Sequence, residues 1–156
     1  MLVQLNHHPG DRDFSATATD LPLNPATLPG ACGPRPVVAV LGHAGRIAGL
    51  DQQLPTGWSI RRPSGPDDIA PGELVLIAGA TVAAVTLARA ALPHRTQIVA
   101  VVDDLAPPEV VTGVLTAGAD ACVRGGQPAI LAGHLVACRR RVLADRWSRL
   151  NRQDRR

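Results

Sequence analysis

The sequence contains no lysine and no tyrosine, and the absence of these two residue types excludes several kinds of chemistry. All 16 basic side chains are arginines, so a lysine nucleophile, a Schiff base and a phosphate-binding lysine are excluded. A dehydrogenase that uses a Tyr-Lys pair is excluded for the same reason. Aromatic residues make up only 2% of the chain, which argues against base stacking as a way of binding nucleic acid.

Cysteine is scarce as well, and long apolar runs are missing. Cys32, Cys122 and Cys138 show no C-x-x-C spacing, and the last two lie on apolar segments, where a free cysteine packs as a small hydrophobic residue. Residues Met1–Gly10 lack the pattern of a secretion signal, and no stretch approaches the roughly 18 apolar residues of a membrane span. We therefore expect a cytoplasmic protein.

Proline content and charge divide the chain into three parts. Residues 1–35 carry five prolines and no sustained hydrophobic period, which predicts a disordered leader. Residues 36–144 carry the apolar runs of a folded domain, and residues 145–156 form an Arg-rich helical extension. The formal charge is +3, but residues 139–156 alone hold eight arginines and two aspartates. The basic character therefore belongs to the C-terminal end.

Short apolar runs alternate with helical segments through the predicted domain. The predicted strands are Pro36–Leu41, Trp58–Arg62, Glu73–Ala78, Gln97–Val102 and Ala121–Arg124. The predicted helices are 44–54, 81–92, 107–117 and a long helix that begins at Pro128, with at most one helical turn over 67–71. Five alternations predict a flavodoxin-like α/β fold, a doubly wound parallel sheet whose ligands bind beyond the carboxyl ends of its strands.

The second half of this pattern resembles the receiver domain of response regulators. Residues Gln97–Arg141 contain a fourth strand, a helix that ends in Ala-Gly-Ala-Asp (Ala117–Asp120), a fifth strand and a last helix. Over Pro36–Ala78 the chain resembles receivers only in its alternation of predicted strands and helices and not in a sequence motif. The resemblance implies a regulatory domain of the same flavodoxin-like architecture.

Receivers accept a phosphoryl group on an Asp, and the resemblance places their functional positions on residues without that chemistry. The acidic pair that holds magnesium falls on Gly42 and His43, the phosphoacceptor on Ala78, the Ser or Thr on Val102 and the Lys near Gly125. The reaction needs carboxylates and a cation, which these residues do not supply. The resemblance therefore implies a pseudo-receiver, a phosphorylation-independent protein-interaction module in transcriptional or developmental signalling rather than an enzyme.

A Gly-rich turn after the first strand offers an alternative, a sensor of a nucleotide or another small molecule. The turn Gly42–Gly49 leads from a strand into a predicted helix, where backbone N–H groups bind pyrophosphate in other proteins. Arg61 and Arg62 after the second strand would suit a 2′-phosphate. The spacing G-x-x-G-x-x-x-G, however, is not the dinucleotide fingerprint G-x-G-x-x-G. No cofactor is expected.

Two further features belong to the same predicted crevice. Asp103 and Asp104 follow the fourth strand, where adjacent carboxylates bind a cation or favour the start of a helix. His43 in the acidic position would sense pH, bind an anion or make a structural hydrogen bond. The candidate ligand-binding residues are therefore Gly42, His43, Gly45, Asp103 and Asp104, and no resident metal is expected.

The end of the last helix carries an apolar stripe beside its arginines. Leu143, Trp147 and Leu150 recur at i, i+4 and i+7, so they share one helix face. Either the same domain covers this stripe, or a second copy or another protein does. The adjacent arginines suggest nucleic acid as a third partner, although no helix-turn-helix pattern accompanies them. We expect a homodimer or a protein partner through this helix, and no membrane contact.

Overall fold

The five apolar runs form one all-parallel β-sheet in a computed structural model that describes residues 35–153. Continuous β-branched runs suit such a sheet, because its central strands are buried on both faces. The strands are β1 (Val37–Gly42), β2 (Ser59–Arg61), β3 (Leu74–Ala78), β4 (Ile98–Val102) and β5 (Ala121–Arg124). Their order, β2-β1-β3-β4-β5, is that of a doubly wound flavodoxin-like fold, and the predicted fold class is confirmed.

Helices cover both faces of the sheet and create two separate cores. They are α1 (Leu50–Gln53), α2 (Val82–Ala91), α3 (Pro108–Thr116) and α4 (Pro128–Gln153). On one face, Leu50, Leu131 and Leu135 pack against strand residues such as Leu76 and Val99. On the other face, α2 and α3 pack against the alternate strand residues through Val85, Ala88 and Val114. This two-faced burial separates β3 and β4 completely from water.

The connection after β1 differs from the predicted continuous helix over 44–54, which is wrong in extent. It consists of a 3-10 turn over Ala44–Ile47 and the four-residue helix α1, separated by Ala48 and Gly49. Gly49 has φ of +79°, a left-handed backbone conformation that interrupts a right-handed helix. Between β2 and β3 the only helical structure among the described residues is a 3-10 turn over Pro66–Asp68, which agrees with the single turn predicted there.

The Ala-Gly-Ala-Asp motif joins three elements. Gly118 has φ of +112° and ends the turn after α3, where its carbonyl accepts hydrogen bonds from Arg89 Nε (3.1 Å) and Nη2 (2.8 Å) of α2. Asp120 Oδ2 accepts from the backbone N–H of Ile98 (2.8 Å) and from Arg89 Nη2 (3.0 Å). Arg89 Nη1 also donates to the Thr96 carbonyl (3.0 Å). The motif that carries the receiver resemblance therefore makes a structural junction between α2, β4 and β5.

The two described cysteines pack as hydrophobic residues. Cys138 is buried in the core under α4, and Cys122 lies half-buried against the other core. Burial raises the pKa of both thiols, while Arg124 and Arg141 respectively oppose that rise. Raised pKa values keep these thiols protonated, so they are poor nucleophiles.

Several predictions concern residues outside this part of the chain. The predicted leader lies outside the described residues except for Arg35, as do Cys32 and the last three residues of the extension. None of the helices described here combines the length and hydropathy that a membrane crossing requires.

Candidate functional site

The five positions on which the resemblance places the phosphorylation residues of receivers lie along the carboxyl edge of the sheet. Gly42 pairs with Ala78 across β1 and β3, and the N–H of His43 donates to the Ala78 carbonyl (3.0 Å). The N–H of Gly125 donates to the Val102 carbonyl (3.0 Å). None of the five residues is itself a carboxylate.

The Arg46 side chain reaches across the carboxyl edge of the sheet, where ligands bind in this fold. Its side chain passes the Cα of Gly79, within about 4 Å of where a Cβ would lie, and its Nη1 forms an ion pair with Asp103 Oδ1 after β4. His43 lies on the same side of Gly79. A guanidinium that spans from the β1 turn to the end of β4 crosses the switch point of the sheet, which is the usual ligand position in this fold.

A close backbone approach holds the 3-10 turn in this place. A methyl group on Gly126, in the turn between β5 and α4, would overlap with the carbonyl oxygen of Arg46. Only glycine fits there without a shift of one of the two backbones. The backbone of Arg46 is therefore held against the turn before α4, while its side chain and that of Asp103 remain partly exposed, at 41% and 70%.

The two adjacent carboxylates of the predicted site point to different neighbours. Asp103 pairs with Arg46, whereas the carboxylate of Asp104 lies over the Cα of Gly125, at the end of β5. In the region from 35 to 153, no group of three or more His, Cys, Asp or Glu side chains is placed to hold a metal ion. Asp103 is therefore a partner of an arginine rather than half of a carboxylate pair.

The Gly-rich turn lacks the features that bind a pyrophosphate. The N–H of His43 is used by the Ala78 carbonyl, and the N–H of Arg46 donates to the His43 carbonyl (3.1 Å). The turn is followed by four-residue helical pieces and not by a long helix, so there is no substantial helix dipole to attract an anion. Gly45 lies in open space, where a side chain would meet nothing within 4 Å.

Arg61, the other candidate for phosphate recognition, is already paired. Its Nε and Nη2 donate to the two carboxylate oxygens of Glu73, both at 2.7 Å, and Glu73 also accepts from the N–H of Ala70 (3.0 Å). The hydrogen bonds from Arg61 lower the pKa of Glu73, although burial opposes this change, and the same pair raises the pKa of Arg61. Arg61 thus fixes the connection between β2 and β3.

The predicted apolar stripe lies on the half of α4 that extends past the sheet. Leu131, Leu135 and Cys138 in the first half of the helix are buried. Beyond them the helix continues over residues 139–153, hereafter the α4 extension. There Leu143 is 38% exposed, Trp147 66% and Leu150 46%. The described part of the domain therefore leaves the stripe partly open to solvent.

The α4 extension is also strongly basic. Its described residues contain six arginines and one carboxylate, that of Asp145. Exposed apolar side chains between arginines are typical of a protein-binding surface, because tryptophan and arginine are the residues most enriched at binding hot spots. The sequence pattern places the stripe on one face of this helix, but it gives no sign that Arg46 pairs with Asp103.

Comparison with known proteins assigns the chain to no family, so the fold is the only basis for classifying it. No protein-family model matches it, and no curated protein has significant sequence similarity to it. The class that the geometry supports is a doubly wound α/β domain of flavodoxin-like topology with an extended C-terminal helix.

Proposed function

We propose that this chain is a receiver-like regulatory module that works without phosphorylation and acts by binding another protein through the α4 extension. The observation that carries the proposal is the exposure of Leu143, Trp147 and Leu150 on a helix whose first half buries one face, through Leu131, Ala132, Leu135 and Cys138. A solvent-exposed row of large apolar side chains is unfavourable in water, and proteins retain such rows mainly where a partner covers them.

Three features support the receiver-like part of the proposal. The strand order is the one that receivers share with other flavodoxin-like domains, and the Ala117–Asp120 motif occupies the junction before β5. Ala78 stands where a receiver carries its phosphoacceptor, and a methyl group cannot form an acyl phosphate. Asp103, a carboxylate at this edge of the sheet, is paired with Arg46.

The cellular location and the biological role of the module are inferred from the resemblance to receivers and not from the geometry of the candidate site. A receiver-like domain without phosphorylation would act in the cytoplasm, as a regulator of transcription or development that is switched by the presence of its partner. Fold alone does not determine function, so this part of the proposal depends on identifying that partner.

The nucleotide-sensor alternative is supported less well. At its proposed phosphate site the N–H groups of His43 and Arg46 are engaged by the carbonyls of Ala78 and His43, and Arg61 is engaged by Glu73. The α4 extension presents apolar area together with arginines that have no carboxylate partner among the described residues.

A photo-crosslinking experiment in the native cell tests the protein-binding role. A photoreactive amino acid replaces either Trp147 or Leu87, a residue of α2 that is 70% exposed and thus matched in exposure and apolar character. We expect a discrete crosslinked species from position 147 and none from position 87. Equal crosslinking at both positions, or none at position 147, would contradict the proposal.

A further inference from the structure

A second feature of the α4 extension is a groove between this helix and the amino-terminal edge of the sheet. Its largest cavity, about 500 Å³, is lined by His94, Arg95, Val142 and Leu150, with Arg146 and Arg149 among its other lining residues. Two smaller cavities of about 330 and 270 Å³ also contain Val142 in their lining, so the three adjoin one another. We call this surface the amino-edge groove.

The amino-edge groove is distinct from the crevice at Arg46. Its lining residues on the domain side precede strands, with Arg35 before β1, Glu73 before β3 and Gln97 before β4. The crevice residues follow strands, at the opposite edge of a parallel sheet. A partner bound in the groove would therefore lie at the other edge of the sheet from the crevice.

The charge of the groove is strongly unbalanced. Five arginines line its three cavities, together with the carboxylates of Asp145 and Glu73: these arginines are Arg35, Arg95, Arg139, Arg146 and Arg149. The Glu73 carboxylate is already paired with Arg61. Within the described part of the chain, none of the five arginines has a carboxylate within ion-pair distance. The groove therefore has a large excess of positive charge with little internal compensation.

Apolar side chains accompany this charge in the same groove. Val142 and Leu150 line the largest cavity, and Leu143 lines the adjoining one. Trp147 lies one helical turn from both leucines and continues the apolar surface out of the groove. A phosphate backbone would satisfy the arginines but leave this apolar area in water, whereas a protein segment with acidic and apolar residues would satisfy both.

The same charge argues against a second copy as the occupant. Pairing two α4 extensions would bring six arginines and one aspartate of each helix against the same set. Like charges opposite one another are unfavourable and suppress association. A self-complementary interface is thus the less favourable solution.

We propose that the amino-edge groove binds an acidic amphipathic helix of a partner protein. The inference rests on the proposed function and specifies the chemistry of its partner. The α4 extension has 15 described residues, or about 22 Å of helix at about 1.5 Å per residue, so a partner helix of about four turns would match it. Carboxylates spaced by three and four residues would face the arginines, and leucine-type residues between them would cover Leu150 and Trp147.

Fluorescence anisotropy with three labelled probes of equal negative charge tests this proposal on the full chain at physiological salt. The probes are a helical 15-residue peptide with Glu and Leu at helical spacing, a polyglutamate peptide and a DNA oligonucleotide. We expect the Glu/Leu peptide to bind at least tenfold more tightly than either other probe, because only this probe fills the apolar part of the groove.

Three variants locate the binding. Arg146→Glu removes a groove charge, and Leu150→Gln removes groove apolar area while retaining a residue of good helix propensity. Arg124→Glu is the matched control, since Arg124 is exposed at the end of β5, at the opposite edge of the sheet. We expect each groove variant to weaken binding of the Glu/Leu peptide at least fivefold and the control to change it less than twofold.

Several results would overturn the inference. These are equal or tighter binding of polyglutamate or DNA, absence of binding below millimolar concentration, or groove variants that behave like the Arg124 control. A dimer of the full chain that Arg146→Glu stabilises would also overturn it, because the groove would then be occupied by a second copy. The crosslinking test at Trp147 reports contact with any protein, so it distinguishes a wrong partner chemistry from a wrong function.

Discussion

The junction built on Arg89 is expected to be a main source of stability in the domain, and Arg89→Ala tests that expectation. The substitution removes hydrogen bonds to the Gly118 carbonyl, the Thr96 carbonyl and the Asp120 carboxylate. The Arg89 side chain is only 19% exposed, so water replaces these partners incompletely. Hydrogen bonds that involve a charged group contribute about 1.5–3 kcal/mol each in favourable cases, but bonds that share one side chain do not add.

We therefore expect Arg89→Ala to lower the free energy of unfolding by about 3 kcal/mol. At about 4 °C per kcal/mol for a domain of this size, the thermal midpoint should fall by about 12 °C. Arg124→Ala is the control, since Arg124 is exposed and a surface substitution changes stability by about 0.5 kcal/mol or less. The coupling with Asp120→Ala in a double-mutant cycle should be about 1 kcal/mol.

Urea unfolding followed by far-ultraviolet circular dichroism measures these differences, and an unchanged slope shows that the same surface is exposed on unfolding. A loss below about 1 kcal/mol in Arg89→Ala, or no coupling with Asp120, would refute the reasoning. The Ala-Gly-Ala-Asp motif would then need an explanation outside the stability of the fold. The measured value also bears on function, because a structural motif supports a shared fold with receivers rather than a shared reaction.

Four further outcomes are expected. Acetyl phosphate with magnesium should leave the mass of the protein unchanged, because Ala78 has no nucleophilic atom, and an acid-stable phosphoryl adduct on an Asp would contradict this. Saturating NADPH or ATP should not raise the thermal midpoint. A ligand that binds, at 100 times its dissociation constant, would add about 2.7 kcal/mol to the free energy of unfolding. A shift of the midpoint that Gly45→Val abolishes would favour the nucleotide alternative. Light scattering should show a monomer for both the wild type and Trp147→Glu, because the like charges of two α4 extensions oppose pairing. The two proteins should also have equal thermal midpoints, since the Trp147 side chain is two-thirds exposed. A wild-type dimer that Trp147→Glu disrupts would show self-association instead. The pKa of Glu73 is lowered in the folded state, so its carboxylate stabilises the protein at pH values above the usual glutamate pKa. This stabilisation is lost as the pH falls through the lowered pKa. The free energy of unfolding of Glu73→Gln should therefore depend less on pH on the acid side than that of the wild type.

The architecture was predictable because its signals are local. Each buried strand is a short β-branched run, and Thr81 and Gly118 mark the beginning and the end of helices within a few residues of their own position. The side chain of Thr81 accepts a hydrogen bond from the N–H of Ala84 (3.1 Å), as expected for a residue that caps a helix. The order of alternating strands and helices then leaves a parallel, doubly wound sheet as the simplest arrangement.

The apolar stripe was also predictable from spacing, since positions at i, i+4 and i+7 share one helix face whatever the helix packs against. Its exposure was not, because the sequence does not say where the sheet ends beneath α4. Whether Leu143 and Trp147 meet the domain or solvent depends on the length of the neighbouring strands and turns. The tertiary structure decided this in favour of solvent.

The sequence by itself thus determined the elements and their alternation, since each depends on residue type or on near neighbours. The tertiary structure alone decided how the two candidate sites differ. Arg46 and Asp103 are 57 positions apart and pair only because the sheet brings the turns after β1 and β4 together. The amino-edge groove likewise draws on Arg95 and Arg146 from distant parts of the chain. Long-range juxtapositions of this kind depend on packing geometry, which no local pattern encodes.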